Sequence, residues 1–318
     1  MVDVSIIIVS WNTKDKLNDC LISIYRQAPK LTYEVIVVDN ASGDGSAEMV
    51  KREFPEAILL QNDENRGFAA ANNIGMAVAQ GRYVLLLNSD TIVLDNAIGQ
   101  AISFADLHPE SAVVGCKVLN PDGTLQRTCF MFPSLLNMLL SSTYLYKLFP
   151  RSKFFGREQM TWWDRDDVRE VDVVTGCFML VRREAIEQIG LLDERFFLYG
   201  EETDWCYRFK QAGWKVVFAP VGQIIHLGGV SSSKMARKTL QLRGAILQFI
   251  DKHHSKATYI LSCILTGVFF AIRVPFWLVR TIVSPQDRLS CWNTVKVYSE
   301  GMFRLLQGHK GLVVKAGK

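Results

Sequence analysis

Val4-Ser5-Ile6-Ile7-Ile8-Val9-Ser10-Trp11-Asn12 decides the architecture of this chain. An apolar run without alternation is what a strand buried on both faces looks like, and such strands belong to parallel sheets. It stops at polar Ser10–Asn12, and Lys14–Arg26 follows with Leu17, Cys20, Leu21 and Ile24 at helical spacing. The unit then repeats. Glu34–Val38 is a strand ending in Asp39-Asn40, and the turn Ser42-Gly43-Asp44-Gly45-Ser46 caps a helix to about Phe54. Ala57–Leu60 is a third strand and Gly67–Ala79 an alanine-rich helix. Tyr83–Leu87 is a fourth strand, ending in Asn88-Ser89-Asp90. A helix near Asn96–Leu107 leads to a strand at Ala112–Val118. This order predicts a doubly wound α/β fold, a mostly parallel sheet with helices on both faces. Ligands bind such sheets outside the carboxyl ends of the strands, where Ser10–Asn12, Asp39–Asn40 and Asn88–Asp90 fall.

The pattern loosens beyond Val118. Asn120-Pro121-Asp122-Gly123 signals a turn, and residues 120–170 read as loops and short helices. Val171–Val181 reads as a strand around Gly176, Arg183–Ile189 as a short helix, Glu202–Ala212 as a helix closed by Gly213, and Trp214–Ala219 as a strand. A basic helix covers Lys234–Asp251. The 318 residues and 49% hydrophobic content exclude a disordered chain. No signal peptide is visible. Seven scattered cysteines without a CxxC pair argue for buried reduced thiols in a reducing compartment.

Charge divides the chain. Residues 1–230 carry 22 Lys+Arg against 29 Asp+Glu, and residues 231–318 carry 14 against 3. A basic tail calls for an anionic partner. Within it Thr258–Ile272 holds no charge, Arg273 and Pro275 interrupt, and apolar residues resume to Val279. Spanning helices need about 20 apolar residues, so an in-plane amphipathic helix or a re-entrant hairpin on a membrane surface fits better, the alternative being a helical cap on the main domain. The tail lacks a nucleic-acid-binding motif and is too apolar to suggest one.

Three clusters carry possible chemistry. Asn88 and Asp90 share a face of the strand end and offer hard oxygen ligands to Mg²⁺ or Mn²⁺, with diphosphate and water completing the shell. The tripeptide also fits an ordinary polar turn. Glu201-Glu202-Thr203-Asp204 follows the aromatic Phe196–Tyr199 loop, against which an acceptor could stack. Acids at a helix start cap it, and one of these could also be a general base. His226 precedes Gly228-Gly229 and could complete an Asp/Asn metal site, although a lone histidine is more often structural. His253-His254 reads as surface.

Ser5–Asn12, Val37–Ser46, Asn65–Gly75, Leu86–Asp90 and Gly200–Trp205, taken together in this order, resemble a family-2 inverting glycosyltransferase of GT-A fold, and within it the bacterial rhamnosyltransferase-like members. The resemblance covers about residues 3–250. It implies a GT-A domain over 1–250, with a nucleotide-sugar half over about 1–118 and an acceptor half over about 119–250, followed by a helical tail over 251–318. It implies that Asp39 contacts the nucleotide base and that Ser10, Trp11 and Asn12 line the nucleotide pocket beside Asn40. Asn65, Gly67 and Asn73 would shape the wall beside the donor. Asn88-Ser89-Asp90 stands at the family's Asp-x-Asp motif, with Asp90 the metal carboxylate and Asn88 in place of the first Asp. Glu202 stands at the catalytic base, with Glu201 and Asp204 as further candidates, and His226 at a downstream metal-ligating histidine.

The implied donor is a dTDP- or UDP-linked sugar, with rhamnose the first choice. The implied acceptor is a saccharide or lipid-linked saccharide at the cytoplasmic leaflet, in cell-surface polysaccharide synthesis. A sugar-1-phosphate nucleotidyltransferase would want a Gly-rich loop after the first strand, and a dinucleotide-binding dehydrogenase would want GxGxxG. Ser10-Trp11-Asn12-Thr13-Lys14 supplies neither. A catalytically inactive membrane-bound carbohydrate-binding or assembly subunit is the alternative from another class.

Overall fold

The computed structural model describes residues 2–27, 31–228 and 232–313, and Gly229, one of the glycines after His226, lies outside them. The chain opens with β1 (Val4–Ser10), α1 (Lys14–Arg26), β2 (Tyr33–Asp39), α2 (Ser46–Glu53), β3 (Ile58–Gln61), α3 (Gly67–Val78) and β4 (Tyr83–Asn88). After β5 (Thr91–Leu94), α4 (Ala97–Leu107) and β6 (Ser111–Leu119) come β7 (Leu125–Gln126), β8 (Cys129–Phe130), α5 (Leu135–Ser142) and α6 (Leu145–Leu148). β9 (Arg169–Glu170), β10 (Val173–Val174), β11 (Phe178–Arg182), α7 (Arg183–Ile189), α8 (Glu201–Gln211) and β12 (Lys215–His226) complete the α/β body. Four helices follow: α9 (Ser232–His253), α10 (Lys256–Val283), α11 (Arg288–Arg304) and α12 (His309–Leu312).

The main sheet runs β3-β2-β1-β4-β11-β6-β12-β5. Its first four strands are parallel, β11 is antiparallel to both neighbours, and β12 is parallel to β6. Period-two alternation splits the core. Ile6, Ile8, Leu85 and Leu87 face α1, α2 and α4, while Ile7, Val84 and Leu86 face α3 and α8. β1 from Ile6 to Val9 and β4 from Val84 to Leu87 are apolar without alternation because both of their faces are covered. Truncating a residue such as Leu85 to alanine at this depth costs about 2–5 kcal/mol.

Three strands differ from the sequence expectation. Val171–Val181 is two strands in two sheets. Val173–Val174 pairs with Cys129–Phe130, and Phe178–Arg182 inserts between β4 and β6. The break falls at Thr175–Cys177, where the Phe68 ring lies against Gly176. The strand expected over Trp214–Ala219 runs on to His226 through a register shift between Phe218 and Gln223. Pro220 and Gly222 occupy the bulge, as neither fits a regular central strand. β5, a stretch to which no element is assigned above, forms because it pairs with the end of β12.

The C-terminal helices pack on α5 and build a third core from Met138, Phe196, Leu240, Phe249, Phe270 and Tyr298. α10 is one uninterrupted helix through Pro275, so no re-entrant hairpin is present. Arg273, two residues before the proline, anchors this part of the helix: its guanidinium is buried, donates to the carbonyls of Ser141 and Ser142, and stacks over the Phe269 ring.

Candidate functional site

The carboxyl ends of β1, β2, β4 and β12 meet the start of α3, the start of α8 and the β10–β11 link in one crevice. Chain order reverses between β1 and β4, so the strand ends diverge there and leave room for a ligand.

The β1 and β2 ends are locked together. Asn12, in the left-handed region, donates its N–H to Ser42 Oγ at 2.9 Å and accepts from the Gly43 N–H at 2.8 Å. Ser10, Thr13 and Ser89 form a hydroxyl relay with two 3.0 Å links, tying β1 to β4. Trp11 projects outward. Asp39 is buried. Its Oδ2 accepts from the Ser42 N–H at 3.0 Å, and its Oδ1 has no partner. A buried carboxylate oxygen left unpaired costs free energy, so it marks a place for a donor from outside the chain.

Asn40 beside it is fully engaged. It donates to Asn65 Oδ1 and the Gly67 carbonyl, and it accepts from Asn62 and the Arg66 N–H. Asn65 also accepts from the Gly67 N–H. Asn73 exchanges hydrogen bonds with the Leu192 backbone and donates to Glu194. Asn40 is thereby saturated, and the three asparagines brace the crevice wall. Gly67 is required by the backbone: φ is +83°, and a Cβ would collide with the Phe197 carbonyl, which accepts the Phe68 N–H at 2.8 Å.

At the β4 end, Asp90 Oδ1 lies 3.0 Å from His226 Nε2, and Asp90 Oδ2 lies 3.7 Å from Lys16 Nζ. The Asn88 carboxamide faces the same Nε2 at 3.3 Å. His226 Nδ1 sits 2.6 Å from Gln126 Oε1, an acceptor, so Nδ1 carries the ring proton. Nε2 faces Asp90 Oδ1, and the pair is satisfied when Nε2 carries a second proton and donates it or when a cation lies between them. Burial pushes the Asp90 carboxyl up, but the hydrogen bond and charge of His226 and the Lys16 ammonium outweigh it and hold the group below the ordinary carboxylate range. Among the described residues no group of three or more His, Cys, Asp and Glu side chains gathers as a metal cage. The donor set of Asp90, His226 and the Asn88 carboxamide still fits Mn²⁺ or Mg²⁺ whose shell a diphosphate completes. Gln126 holds the imidazole from the second layer, as metal-ligating histidines require.

The opposite wall is acidic. α8 starts after Tyr199 and Gly200, both in the left-handed region. Glu201 is buried and Glu202 half-buried, and each has a buried Oε2 without a protein partner. Burial and the neighbouring Glu202 push Glu201 far above the ordinary glutamate value. Burial also pushes Glu202 up, against backbone N–H groups, a hydrogen bond from Glu201 and the charge of Lys238. The two carboxyls therefore act as a pair in which the neutral form is favoured on Glu201. Asp204 lies elsewhere. It is buried with Arg208 at 2.9 Å, Lys252 at 2.6 Å and His253 at 2.7 Å, so its carboxylate is spoken for and it leaves the candidates for a base. His253 is correspondingly half-buried and not a surface residue. Phe196 belongs to the third core, which leaves Phe197 and Tyr199 as the rings available to an acceptor. Cys177 sits between the two acidic centres, its thiol pushed up to about 11 by burial. All seven cysteines are free.

Lys16 and Gln126 are the site residues that sequence reasoning missed. Lys16 stands in the first turn of α1, directly behind a polar strand end, and that position was a usable signal. Gln126 reaches His226 only through the three-strand register of β7, β6 and β12.

The chain is similar to several known proteins. The chain is 26% identical over 286 residues to the N-acetylglucosaminyl-diphospho-decaprenol L-rhamnosyltransferase of Mycobacterium tuberculosis, covering 86% of this chain and 88% of the relative. It is 24% identical over 241 residues to a low-salt glycan biosynthesis hexosyltransferase of Haloferax volcanii, covering 70% and 67%. Its fold is similar to that of a Pyrobaculum calidifontis mannosyltransferase solved with GDP-mannose and Mn²⁺, at a TM-score of 0.59 and 16% identity over 96% of this chain and 87% of that one. A second solved structure, GalNAc-T7 with UDP, GalNAc and Mn²⁺, matches at 0.54 and 17% over 72% and 44%. Residues 5–190 match the model of glycosyl transferase family 2, and the chain belongs to that family.

Proposed function

We propose that this protein is an inverting glycosyltransferase that moves a sugar, rhamnose as first choice, from a dTDP- or UDP-linked donor to a saccharide or lipid-linked acceptor in cell-surface polysaccharide synthesis. It works at the cytoplasmic face of a membrane as a peripheral or monotopic protein. The observation that carries the reading is the pairing of two unlike acidic centres across one strand-end crevice. Asp90 is held as an anion beside His226 and Lys16, and the Glu201–Glu202 pair holds a proton.

Each residue then has a chemical task. Asp39 Oδ1 accepts the ring N–H of a uracil or thymine base, which satisfies its buried oxygen. Ser10–Asn12 and the relay to Ser89 fix the floor under the nucleotide. Asp90, Asn88 and His226 would hold Mg²⁺ or Mn²⁺, which when bound would offset charge on the departing diphosphate. Lys16 adds a fixed cation on the same side. Glu202, ionised, takes the proton of an acceptor hydroxyl held against Phe197 or Tyr199. The hydroxyl oxygen bonds to the anomeric carbon as the bond to the diphosphate oxygen breaks on the opposite face, so a single displacement inverts the centre. Glu201 keeps its proton and donates to Glu202, which tempers the rise in the base's pKa.

The test is a panel of dTDP-, UDP- and GDP-sugars, each with and without Mg²⁺ or Mn²⁺, read by thermal stabilisation and by transfer to a polyprenyl-diphosphate-linked saccharide. The expected result is metal-dependent stabilisation by a pyrimidine donor and an inverted product. A retained anomeric configuration, or stabilisation by GDP-sugars alone, would overturn the reading.

A further inference from the structure

α10 has two unlike faces. Ser262, Thr266, Phe269, Phe270 and Arg273 are buried against α5, α9 and α11. On the opposite face Ile260, Ile264, Val268, Ile272, Phe276 and Val279 recur at three- and four-residue spacing and are exposed, Ile260 and Ile264 by 58% and 57%. Arg273 is the sole charged residue between Lys256 and Arg280, and it points inward, so this face carries no charge over its length. Apolar exposure on this scale marks an interaction surface.

We infer that this face lies in the plane of an anionic lipid bilayer, seated in one leaflet. The inference deepens the membrane part of the function proposed above and rests on none of its sugar chemistry. Charge selects the occupant: exposed Lys256 and Arg280 bound the stripe along α10, and exposed Arg288, Lys296 and Lys310 lie on α11 and α12, within a segment of 14 basic and 3 acidic residues. Trp277 and Trp292 stand at its edge with Arg280 and Lys296 over their rings at 5.3 and 5.8 Å, the amphipathic pairing suited to a headgroup boundary. α10 is long and apolar enough to cross a bilayer, but its packing on α11 argues against crossing. α11 runs alongside through Tyr298 on Phe270 and carries Lys296, Glu300 and Arg304. Crossing would draw those charges and the Arg273 anchor into hydrocarbon.

The test is flotation of the full chain with vesicles of phosphatidylcholine, alone or mixed with phosphatidylglycerol. The expected result is binding at least tenfold stronger to the anionic vesicles. Ile260→Glu with Ile264→Glu should reduce it tenfold or more while thermal stability and nucleotide-sugar binding stay unchanged. Leu107→Glu, on the exposed surface of α4, should leave it intact. No flotation of the wild-type chain, or equal flotation of the double variant, would overturn the inference. So would a wild-type dimer that the double variant makes monomeric without vesicle binding, since a second copy would then cover the face. A thiol at Lys256→Cys and one at Gln286→Cys, in a Cys263→Ser background, should both react with an impermeant reagent outside sealed vesicles. Protection of one alone would show a spanning helix.

Discussion

Two acidic centres face each other across the crevice, and the chain treats them in opposite ways. Asp90 ends a strand beside a histidine and a lysine, and its surroundings favour the charged form. Glu201 and Glu202 begin a helix, where the macrodipole and N–H groups favour charge, yet burial wins at both and the Glu202 charge adds to it at Glu201. The difference teaches that carboxylate position alone does not set its chemistry. The strand end exposes the Asp90 carboxylate to cationic neighbours from α1 and β12, whereas the first turn of α8 behind the Phe196–Gly200 loop is buried at Glu201 and half-buried at Glu202. Two acids with pKa values pushed apart can divide the work of binding charge and moving a proton.

Removing the anionic centre should have the largest effect. Asp90→Asn keeps the shape but loses the charge that the donor set needs. Turnover should fall by about 4 kcal/mol of transition-state stabilisation, roughly a thousandfold, with circular dichroism unchanged. Near-normal turnover would show that the centre is structural. Removing basicity on the other side comes next. Glu202→Gln should lose about a hundredfold in turnover while donor affinity, measured by calorimetry, stays within about twofold. If donor affinity collapses instead, Glu202 belongs to the binding centre and the contrast between the two sites fails.

Two further variants separate binding from proton transfer. Gln126→Leu leaves His226 Nδ1 without its acceptor and frees the ring to turn. Affinity for Mn²⁺ in the presence of nucleoside diphosphate should weaken about 10- to 100-fold. Asp39→Ala deletes the unpaired buried oxygen. Affinity for the nucleoside diphosphate should weaken by about 2 kcal/mol, roughly thirtyfold, with turnover at saturating donor little changed. Equal affinity of wild type and variant for the free nucleotide would remove Asp39 from the base pocket.

Much of this site was legible because strand ends are legible. β1, β2 and β4 are uniform apolar runs, so their polar termini, and hence Ser10, Asp39 and Asp90, stood out. The helix Lys14–Arg26 was readable to the residue from Leu17, Cys20, Leu21 and Ile24. The asparagines were not readable in this way: whether Asn40 or Asn73 faces a ligand or a carbonyl depends on partners up to 119 residues away. The acidic run was readable in principle. Glu201, Asp204, Trp205 and Arg208 fall at helical spacing on one face, and the buried Trp205 identifies that face as inward, which separates Asp204 from Glu202. β5 and the split of Val171–Val181 were not readable, because sheet pairing with β12, β4 and β8 decides them and no local pattern does.

The smallest expected effect sharpens the comparison most. Glu201 has a folded pKa raised above the value of about 4.5 it takes in the unfolded chain. Between these values the folded state holds a proton that the unfolded state has released, so stability falls as pH rises from about 4.5 toward the folded pKa. Below 4.5 both states are protonated and nothing is lost. Glu201→Gln keeps a hydrogen-bond donor for Glu202 and abolishes the titration. The variant should match the wild type in thermal midpoint at pH 4 and exceed it at pH 7. Its turnover should stay within about tenfold of wild type, because the amide still donates to the base. Glu201→Leu removes the donor, so the Glu202 pKa rises and the acid limb of the pH–rate profile moves to higher pH. An acid limb that stays fixed in the leucine variant would mean that Glu201 and Glu202 titrate independently, and the proton on Glu201 would have no part in the reaction.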